Sequence, residues 1–328
     1  MKFLIAGLGS IGRRHLQNLI VLGEPDIILF RTGHSTLSDE GLEGFPIETN
    51  FDTALSYTPD AVIISNPTSL HLDIAIPAVK AGCDIFLEKP VSNSLDRIDK
   101  LNTAVKSSKV QVLVGYQFRY HPGMKLIRRL IEKEAIGRLL YIHAHWGEYL
   151  PGWHPWEDYR GSYSARSDLG GGVVLTLSHP IDYMRWLMGE ITEVWAITCR
   201  SGELDIQVED LAEIGFRFDN GALGSLHLDY IQRPNTHRLE IIGTKGTIQW
   251  DYNKGETRLF QINKDDWVTY SNPEKFERNH MFLSQMGHFL EVVKRRAKPL
   301  CTLEDGVKVV QIALAIHSSQ TQKKVIHV

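Results

Sequence analysis

Short apolar runs alternate with helical patterns through the first third of the chain. The helical patterns repeat apolar residues at helical spacing, as Leu95, Ile98, Leu101 and Val105 do. Strands that alternate with helices are typical of βαβ units, and strands apolar on both faces belong in a parallel sheet covered on both sides. We predict strands at residues 2–6, 26–30, 61–65, 84–87 and 111–115, with helices at 11–22, 69–81 and 95–106. Residues 1–120 are therefore predicted to form an α/β domain, a doubly wound parallel sheet.

Beyond about residue 120 the strands become alternating and connected by hairpins. Asn220-Gly221 supplies one turn in which positive φ costs little, and Thr302 forms a capping box with Asp305 at the start of the last helix. The predicted strands are 212–218, 226–230, 239–242 and 247–252, and the predicted helices are 171–188, 281–296 and one after Thr302. We expect residues 121–328 to form an α+β domain with a large open, mainly antiparallel sheet.

Length and charge narrow the class of partner. A chain of 328 residues with 43% hydrophobic residues exceeds the size at which single cores usually divide, so two domains are expected. A formal net charge of −3 gives no basic field for nucleic acid or for an anionic membrane. No apolar run approaches the roughly 20 residues that span a bilayer. The expected partner is a small molecule.

The cysteines and the N-terminus suggest a cytoplasmic protein. Cys83, Cys199 and Cys301 are scattered and form no CxxC pair, so neither a disulfide framework nor a cysteine-zinc site is predicted. The chain enters an apolar strand pattern directly after Met1-Lys2, without the pattern of a secretory signal. We therefore expect a cytoplasmic location.

A glycine-rich turn follows the first predicted strand and opens the first predicted helix. It reads Gly7-Leu8-Gly9-Ser10-Ile11-Gly12. Gly7 allows the tight turn, Gly9 lets the backbone approach a pyrophosphate, and Gly12 lets helix and strand pack closely. The helix start at Ser10 and Ile11 offers free N–H donors to the anion. The motif predicts a dinucleotide-binding Rossmann domain, and its strand-to-helix context disfavours a plain glycine turn.

The end of the second predicted strand bears on the choice of dinucleotide. An NAD enzyme carries an acidic residue about 20 residues beyond the glycines, for the ribose 2′-hydroxyl. This chain has Phe30-Arg31-Thr32 there, with Ser35 nearby. A guanidinium matches phosphate oxygens in a bidentate fork, so Arg31 with Thr32 favours NADP over NAD. The alternative is that Arg31 stacks on adenine or points to solvent.

Two loops follow the third and fourth predicted strands. Ser65-Asn66-Pro67-Thr68 ends one strand, and Glu88-Lys89-Pro90 ends the other. In open α/β sheets ligands bind at the carboxyl ends of the strands, so we expect Ser65, Asn66 and Lys89 near the cofactor. The alternative for Lys89 is an ordinary solvated lysine, with Glu88 as its salt-bridge partner.

These motifs together resemble the glucose-fructose oxidoreductase, inositol dehydrogenase and MocA-like family, called Gfo/Idh/MocA. The resemblance covers nearly the whole chain. It implies that Asn66, Pro67 and His71 line the cofactor groove, that Glu88 contacts the nicotinamide half, and that Lys89 and His179 face the reacting carbon. The motifs, in chain order, are Gly7 to Gly12, Asn66-Pro67-Thr68 with His71, Glu88-Lys89-Pro90, Leu169-Gly170-Gly171-Gly172, and Ser178-His179-Pro180-Ile181-Asp182.

The chemistry of Lys89 and His179 agrees with hydride transfer to or from a carbinol carbon of a sugar-like substrate. A group must take the hydroxyl proton as hydride leaves, and an imidazole ordinarily titrates near neutral pH, so His179 is the candidate base. A protonated lysine stabilises the developing alkoxide or polarises the carbonyl in reverse, which is the role predicted for Lys89. The alternative for His179 is a core histidine held by a backbone carbonyl.

One position departs from the family. Many members carry an aspartate three or four residues before the histidine, where this chain has Thr176. A hydroxyl can bind substrate but supplies no charge. Either Asp182, one turn beyond His179, or a substrate group compensates as the missing carboxylate, or the activity differs from the family norm. The alternative for Asp182 is a structural role.

The remaining substrate-side residues are predicted from their place in the chain. Tyr116 and Arg119 follow the fifth strand, and Arg119 either binds a substrate hydroxyl or carboxylate or makes an ion pair at the domain junction. The aromatic loop 149–163 carries Trp153, Tyr159 and Arg160, suited either to the C–H face of a pyranose or to a subunit contact. His143 and His145 alternate on a strand with no third ligand nearby, so no metal site is predicted.

Alternative functions and the assembly complete the predictions. A bound nicotinamide could oxidise a sugar transiently to permit elimination or hydrolysis, or the chain could be a non-catalytic dinucleotide sensor. A biliverdin-reductase-like activity is disfavoured because Lys89 and His179 suit a carbinol or carbonyl better than a tetrapyrrole. The open sheet has a second face to cover, which predicts homo-oligomerisation, and the family resemblance implies a homodimer or homotetramer.

Overall fold

A computed structural model describes residues 1–33, 37–38 and 40–328. Two compact units divide these residues. The first comprises Met1–Gln117 and Glu277–Val310, and the second comprises Phe118–Phe276 and Gln311–Val328.

The first unit contains a parallel sheet with the strand order β3-β2-β1-β4-β5-β6, six strands in the described residues. Its elements up to residue 117 are β1 (Phe3–Ala6), α1 (Ser10–Val21), β2 (Ile27–Phe30), β3 (Ile47–Glu48), α2 (Phe51–Ser56), β4 (Ala61–Ile64), α3 (His71–Lys80), β5 (Asp84–Leu87), α4 (Ile98–Ser108) and β6 (Val112–Val114). The order reverses beside β1, and ligands of doubly wound sheets bind at such a switch point. The predicted doubly wound parallel sheet is confirmed.

Register aligns the carboxyl ends of the three central strands. Ala6 pairs with Ile64, and Ile64 pairs with Leu87. All residues of β1, β4 and β5 are buried, as expected for strands covered on both faces. The residues that follow these strands therefore emerge side by side along one edge of the sheet.

The second unit is built on a sheet with the strand order β14-β13-β12-β11-β7-β10-β9-β8-β15, nine strands in the part of the chain that the structure describes. The remaining elements are α5 (Pro122–Glu132), β7 (Leu139–Tyr149), α6 (Val173–Thr176), α7 (His179–Met188), β8 (Ile191–Cys199), β9 (Leu211–Phe218), β10 (Leu223–Asp229), β11 (Ile231–Gly243), β12 (Gly246–Asp251), β13 (Glu256–Gln261), β14 (Asp266–Ser271), α8 (Arg278–Val293), α9 (Leu303–Gln322) and β15 (Ile326–His327). Only β7 and β10 pair in parallel among these neighbours. The predicted large, mainly antiparallel sheet is confirmed.

Helix α8 groups with the first unit, whereas the predicted division at residue 120 places it in the second domain. Its apolar face joins the core cluster of the first unit, where Met286 and Phe289 are fully buried with Phe3 and Leu16. Burial of this face stabilises the helix against β1 and α1 rather than against its neighbours in sequence. This packing was not predicted, because α8 lies far along the chain from the strands of the first unit.

The predicted helix 171–188 is wrong, because the structure breaks it in two. Helix α6 ends at Thr176, and α7 begins at His179 with Pro180 in its first turn. Proline has no N–H to donate to the Thr176 carbonyl, so a helix cannot run through this position without losing that bond. His179 therefore occupies the first position of a new helix.

Other local predictions fare differently. Helix α4 begins at Ile98 rather than Leu95, because Arg97 is left-handed with φ +67°. The capping box is confirmed: the Asp305 backbone N–H donates to Thr302 Oγ1, and the Thr302 N–H donates to the Asp305 carboxylate.

In the described chain, no helix combines the length and apolar character needed to cross a membrane.

Candidate dinucleotide and catalytic site

The glycine turn after β1 forms a cradle that side chains would obstruct. A Cβ on Gly7, whose φ is +97°, would lie 2.5 Å from the Asn66 nitrogen, and a Cβ on Gly12 would lie 1.9 Å from the Gly7 carbonyl oxygen. A Cβ on Gly9 would meet nothing within 4 Å, so the backbone there borders open space. Helix α1 begins directly afterwards at Ser10, with Ile11 following. This arrangement fits a pyrophosphate at the start of α1.

The loop after β4 is fastened to this cradle. Ser65 Oγ donates to the Gly7 carbonyl oxygen at 2.8 Å. The Asn66 side-chain amide donates to the Leu70 carbonyl at 3.1 Å, which closes the turn that contains Pro67. Ser65 thus contributes to the shape of the glycine turn, and its side chain is buried.

His71 ties the loop after β4 to the loop after β5. Its Nε2 lies 2.9 Å from the Asn66 carbonyl oxygen and its Nδ1 lies 2.9 Å from the Pro90 carbonyl oxygen. Burial lowers the pKa of His71, while the Asn66 carbonyl and the Glu88 charge oppose that shift. Only 1% of His71 is exposed, so its imidazole is a buried link between the two loops.

Glu88 is held by a histidine that the sequence prediction missed. Glu88 Oε1 lies 2.7 Å from His15 Nε2, and His15 is fully buried in α1. The Lys89 backbone N–H donates to Glu88 Oε2 at 3.3 Å. Gly115 leaves the required space, since a Cβ there would lie 2.9 Å from Glu88 Oε2. No local pattern signals this contact, because 73 positions separate His15 from Glu88 in the chain.

Lys89 is half-buried and precedes a cis peptide bond to Pro90. Its neighbours on both sides are fixed, Glu88 by His15 and Pro90 by His71. The backbone that carries the Lys89 side chain is therefore held at the carboxyl edge of β5. Tyr116, also in the first unit, is fully buried.

Arg31 directly follows β2. Its backbone N–H donates to the Glu48 carbonyl at 3.1 Å, and its Nη2 lies 3.4 Å from the Leu37 carbonyl. Thr32 is exposed beside it, and Ser35 lies outside the described residues. The end of β2 thus presents a guanidinium and a hydroxyl.

In the second unit, His179 is surrounded by aromatic rings. Its imidazole meets Phe118 edge-on with ring centroids 5.2 Å apart, and Trp146 with centroids 5.6 Å apart. Only 2% of His179 is exposed. These rings fix the imidazole at the start of α7.

Arg119 and Asp182 are paired with each other. Arg119 Nη2 donates to Asp182 Oδ1 at 2.7 Å and Arg119 Nε donates to Oδ2 at 3.0 Å, a bidentate contact. Only 2% of the arginine side chain and 1% of the aspartate side chain are exposed. Each charge is compensated inside the second unit, which favours the ion-pair interpretation of Arg119 and the structural interpretation of Asp182.

The aromatic loop consists of short 3-10 turns. Arg160 is 54% exposed and forms ion pairs with Asp158 at 2.6 Å and Asp205 at 3.3 Å. The Tyr159 hydroxyl accepts the Asp205 backbone N–H at 3.3 Å. Tyr159 and Arg160 therefore hold the loop against residue 205.

Comparison with known proteins identifies the chain. A family model described as oxidoreductase family, NAD-binding Rossmann fold, matches residues 1–116, and a model of the GFO/IDH/MocA C-terminal domain matches residues 124–249. Uncharacterized oxidoreductase YrbE of Bacillus subtilis is 30% identical over 333 residues, covering 96% of this chain and 93% of the relative. The chain belongs to the Gfo/Idh/MocA family of NAD(P)-binding oxidoreductases.

Other Gfo/Idh/MocA proteins have assigned activities. Myo-inositol 2-dehydrogenase of Thermotoga maritima is 26% identical, covering 99% of this chain and 97% of the relative. A solved levoglucosan dehydrogenase complex with NADH and levoglucosan superposes with a TM-score of 0.89, covering 100% of this chain and 99% of that chain at 21% identity. At that identity the likeness shows the fold alone.

Thr176, which departs from the Gfo/Idh/MocA pattern, has a neighbour that the sequence did not indicate. Thr176 is buried beside Tyr230, whose hydroxyl donates to the Ser164 carbonyl at 3.4 Å. Burial raises the pKa of Tyr230 far above its usual value, which keeps the phenol neutral. The half-buried Trp153 packs on the Tyr230 ring with centroids 5.5 Å apart. Tyr230 is 0% exposed, so it is a core residue, as strand alternation predicted, and a neighbour of Thr176.

The expectation that no third ligand accompanies His143 and His145 is wrong for His145. His227 and Asp229 on β10 offer ligand atoms that, with one from His145, lie within 4.8 Å of one another. Strand pairing across β7 and β10, which sequence spacing does not reveal, creates this group.

Proposed function

We propose that the protein is a dehydrogenase or reductase that transfers a hydride between NAD(P) and a carbinol or carbonyl carbon of a sugar, polyol or sugar derivative. One observation carries the proposal: the cradle of Gly7, Gly9 and Gly12 opens at the sheet edge where His15 and His71 hold the loop of Lys89. A dinucleotide site beside a lysine on a loop held at both sides suits carbinol oxidation.

Each half of the proposed chemistry falls to a residue of this chain. The bound nicotinamide supplies the hydride acceptor or donor. His179 takes the substrate hydroxyl proton at an imidazole nitrogen, and in reduction it returns that proton. Lys89 donates a hydrogen bond from Nζ to the substrate oxygen and offsets its developing negative charge. We assign Glu88, His71, Arg119 and Asp182 positioning roles, because buried partners already engage their polar groups.

The proposed substrate class rests on the relatives and on the second unit. Two sequence relatives are named as dehydrogenases of inositol and of levoglucosan. The half-buried Trp153 provides aromatic surface of the kind that packs on the C–H face of a sugar ring, and Thr176 provides a hydroxyl without charge. We propose that the protein oxidises a neutral polyol or sugar. A substrate whose binding requires the family's aspartate at position 176 should be oxidised less well, because Thr176 carries no charge.

A substrate screen tests this function. Inositols, sugars, anhydrosugars, uronates and nucleotide sugars are incubated with NAD or NADP, and the corresponding ketones with the reduced cofactors, while the absorbance of reduced nicotinamide is followed. We expect a stoichiometric change in absorbance with at least one neutral cyclic polyol or sugar. Product formation without net reduction of added cofactor would identify transient oxidation with elimination or hydrolysis. Cofactor binding without any product would favour a sensor.

We propose that Arg31 with Thr32 recognises the 2′-phosphate of NADP. Replacing Arg31 with glutamine should lower kcat/KM for NADP by about 10- to 100-fold, because a charge-assisted hydrogen bond to phosphate contributes roughly 1.5–3 kcal/mol. The value for NAD should change by less than about threefold. Steady-state kinetics with both cofactors measure the ratio.

Arg296→Gln, the same change at a position of the first unit whose side chain is 68% exposed, is the matched control and should leave both values unchanged. An equal loss for NAD and NADP in Arg31→Gln would contradict phosphate recognition and would favour stacking on adenine, which both cofactors share.

We propose that the outer face of the nine-stranded sheet forms a homodimer or homotetramer interface. Trp195, Ile197 and Leu223 lie on this face and are 46%, 50% and 47% exposed. Several large exposed apolar side chains on one sheet face are typical of a contact surface. Light scattering behind size exclusion should give a mass of two or four chains, and Trp195→Glu should lower it; a monomer at micromolar concentration would contradict the proposal.

A further inference from the structure

We propose that His145, His227 and Asp229 form a binding site for a zinc-class divalent transition-metal ion on the outer face of the nine-stranded sheet. The three residues lie on neighbouring strands. His145 of β7 pairs in register with His227 of β10, and Asp229 follows His227 by two residues, so all three side chains share one face. The ligand atoms, one from each residue, lie within 4.8 Å of one another.

The spacing of the ligand atoms suits such an ion. His227 Nε2 and Asp229 Oδ2 are 3.0 Å apart. Two ligand atoms on a tetrahedral zinc with bonds of about 2.0–2.1 Å are separated by about 3.3 Å, so an ion can replace the proton between these atoms with little movement. A side-chain rotation brings the His145 imidazole in as the third ligand. A fourth position stays open for water or for another donor.

The carboxylate of Asp229 is preorganised for this role. Its Oδ1 accepts the backbone N–H groups of Ile231 at 2.8 Å and Gln232 at 2.6 Å, which leaves Oδ2 directed at His227. The side chain is 3% exposed. Gly147, its register partner, is required for this placement, because a Cβ there would lie 2.1 Å from Asp229 Oδ2.

The surrounding groups complete an outer shell. Glu213 accepts a hydrogen bond from the Nδ1 side of His227, and this carboxylate-histidine arrangement orients metal-binding imidazoles. Gln232 Oε1 lies 2.6 Å from His145 Nε2. Glu213 and Asp229 supply two negative charges, against Arg238 opposite His145 on β11. Two imidazoles and one carboxylate select zinc, cobalt, nickel or copper over magnesium and calcium, which prefer oxygen ligands.

Metal titration of the full-length chain without an affinity tag tests the site. Protein stripped with EDTA is titrated with Co²⁺, and Zn²⁺ is then used as competitor. We expect one ion per chain, visible d–d bands that saturate at one equivalent, and their loss on addition of Zn²⁺. His227→Gln and Asp229→Asn should each weaken binding by at least about 100-fold, and Glu213→Gln by roughly tenfold.

The variants are chosen to keep the fold. Asparagine at 229 retains the oxygen that accepts the Ile231 and Gln232 N–H groups. His143→Gln is the matched control, because His143 lies on the same strand and face but bonds to Ser225 and is not in the proposed set. It should bind Co²⁺ as the wild type does. Equal affinity of the wild type and His227→Gln, or stoichiometry well below one, would overturn the site.

X-ray absorption of the zinc-loaded wild type provides a test that needs no variant. The proposal predicts two imidazole ligands and oxygen scatterers in the first shell. A first shell with sulfur or with fewer than two imidazoles would show that the ion binds elsewhere. None of these measurements depends on turnover, so the metal site and the proposed dehydrogenase activity stand or fall separately.

Discussion

Replacing Lys89 with methionine should lower kcat by about 10²- to 10³-fold, because removal of one donor aimed at a developing oxyanion has effects of that size. The affinity for the dinucleotide should change by less than about threefold, since Gly7, Gly9 and Gly12 rather than Lys89 form the cradle. Turnover of the substrate found in the screen and fluorescence titration with NAD(P)H measure the two quantities.

The companion change, His179→Ala, should lower kcat by about 10²- to 10⁴-fold, the range of general base catalysis, and added imidazole, which can occupy the space left by the ring, should restore part of the activity. Lys80→Met and His327→Ala are matched controls on exposed positions, with the His327 side chain 82% exposed. Both should leave kcat unchanged.

The pattern of losses separates the possible roles. Unchanged turnover in Lys89→Met would refute its part in the chemistry. A parallel loss of dinucleotide affinity would make Lys89 a cofactor ligand only. Failure of imidazole to rescue His179→Ala, together with a lower melting temperature, would support the alternative of a core histidine.

Replacing Arg119 with methionine should lower the free energy of unfolding by about 3–5 kcal/mol, because it leaves the Asp182 carboxylate buried without its partner. The double variant Arg119→Met/Asp182→Leu should recover much of that loss, since apolar pairs often replace buried ion pairs without penalty. Urea denaturation of the three proteins side by side measures these differences.

An exposed pair serves as the control for this cycle. Arg166 and Asp168 lie 2.6 Å apart with side chains 48% and 62% exposed, so Arg166→Met should leave the denaturation midpoint unchanged. If Arg119→Met instead folds with wild-type stability and raises KM, Arg119 binds substrate and the ion pair is incidental.

Local patterns were enough to predict the central strands and the glycine turn of the first unit. The strands β1, β4 and β5 are continuous apolar runs, and the glycine turn lies between a strand and a helix that both follow from adjacent residues. Because the turn, the strand ends and the helix start are encoded within a few residues, the dinucleotide cradle was predictable from the sequence.

Contacts between distant residues were beyond prediction. His15 with Glu88, Thr176 with Tyr230, and His145 with His227 join residues far apart in the chain, and no periodicity encodes such pairs. The break before α7 was different, because Pro180 lies at the break itself. A proline has no N–H for a helical hydrogen bond, so this residue alone indicates a helix boundary. The wrong helix prediction was therefore avoidable, whereas the missed partners were not.

The bridge made by His71 has a consequence for protein engineering. The His71 imidazole contacts a carbonyl oxygen in each of two loops. The positions of the segments around Asn66 and Pro90 therefore depend on each other through this histidine. A graft that imports either segment from another oxidoreductase, while retaining the native partner, would leave that ring with a misplaced acceptor. Transplants of cofactor or substrate preference into this scaffold should therefore move all three pieces together.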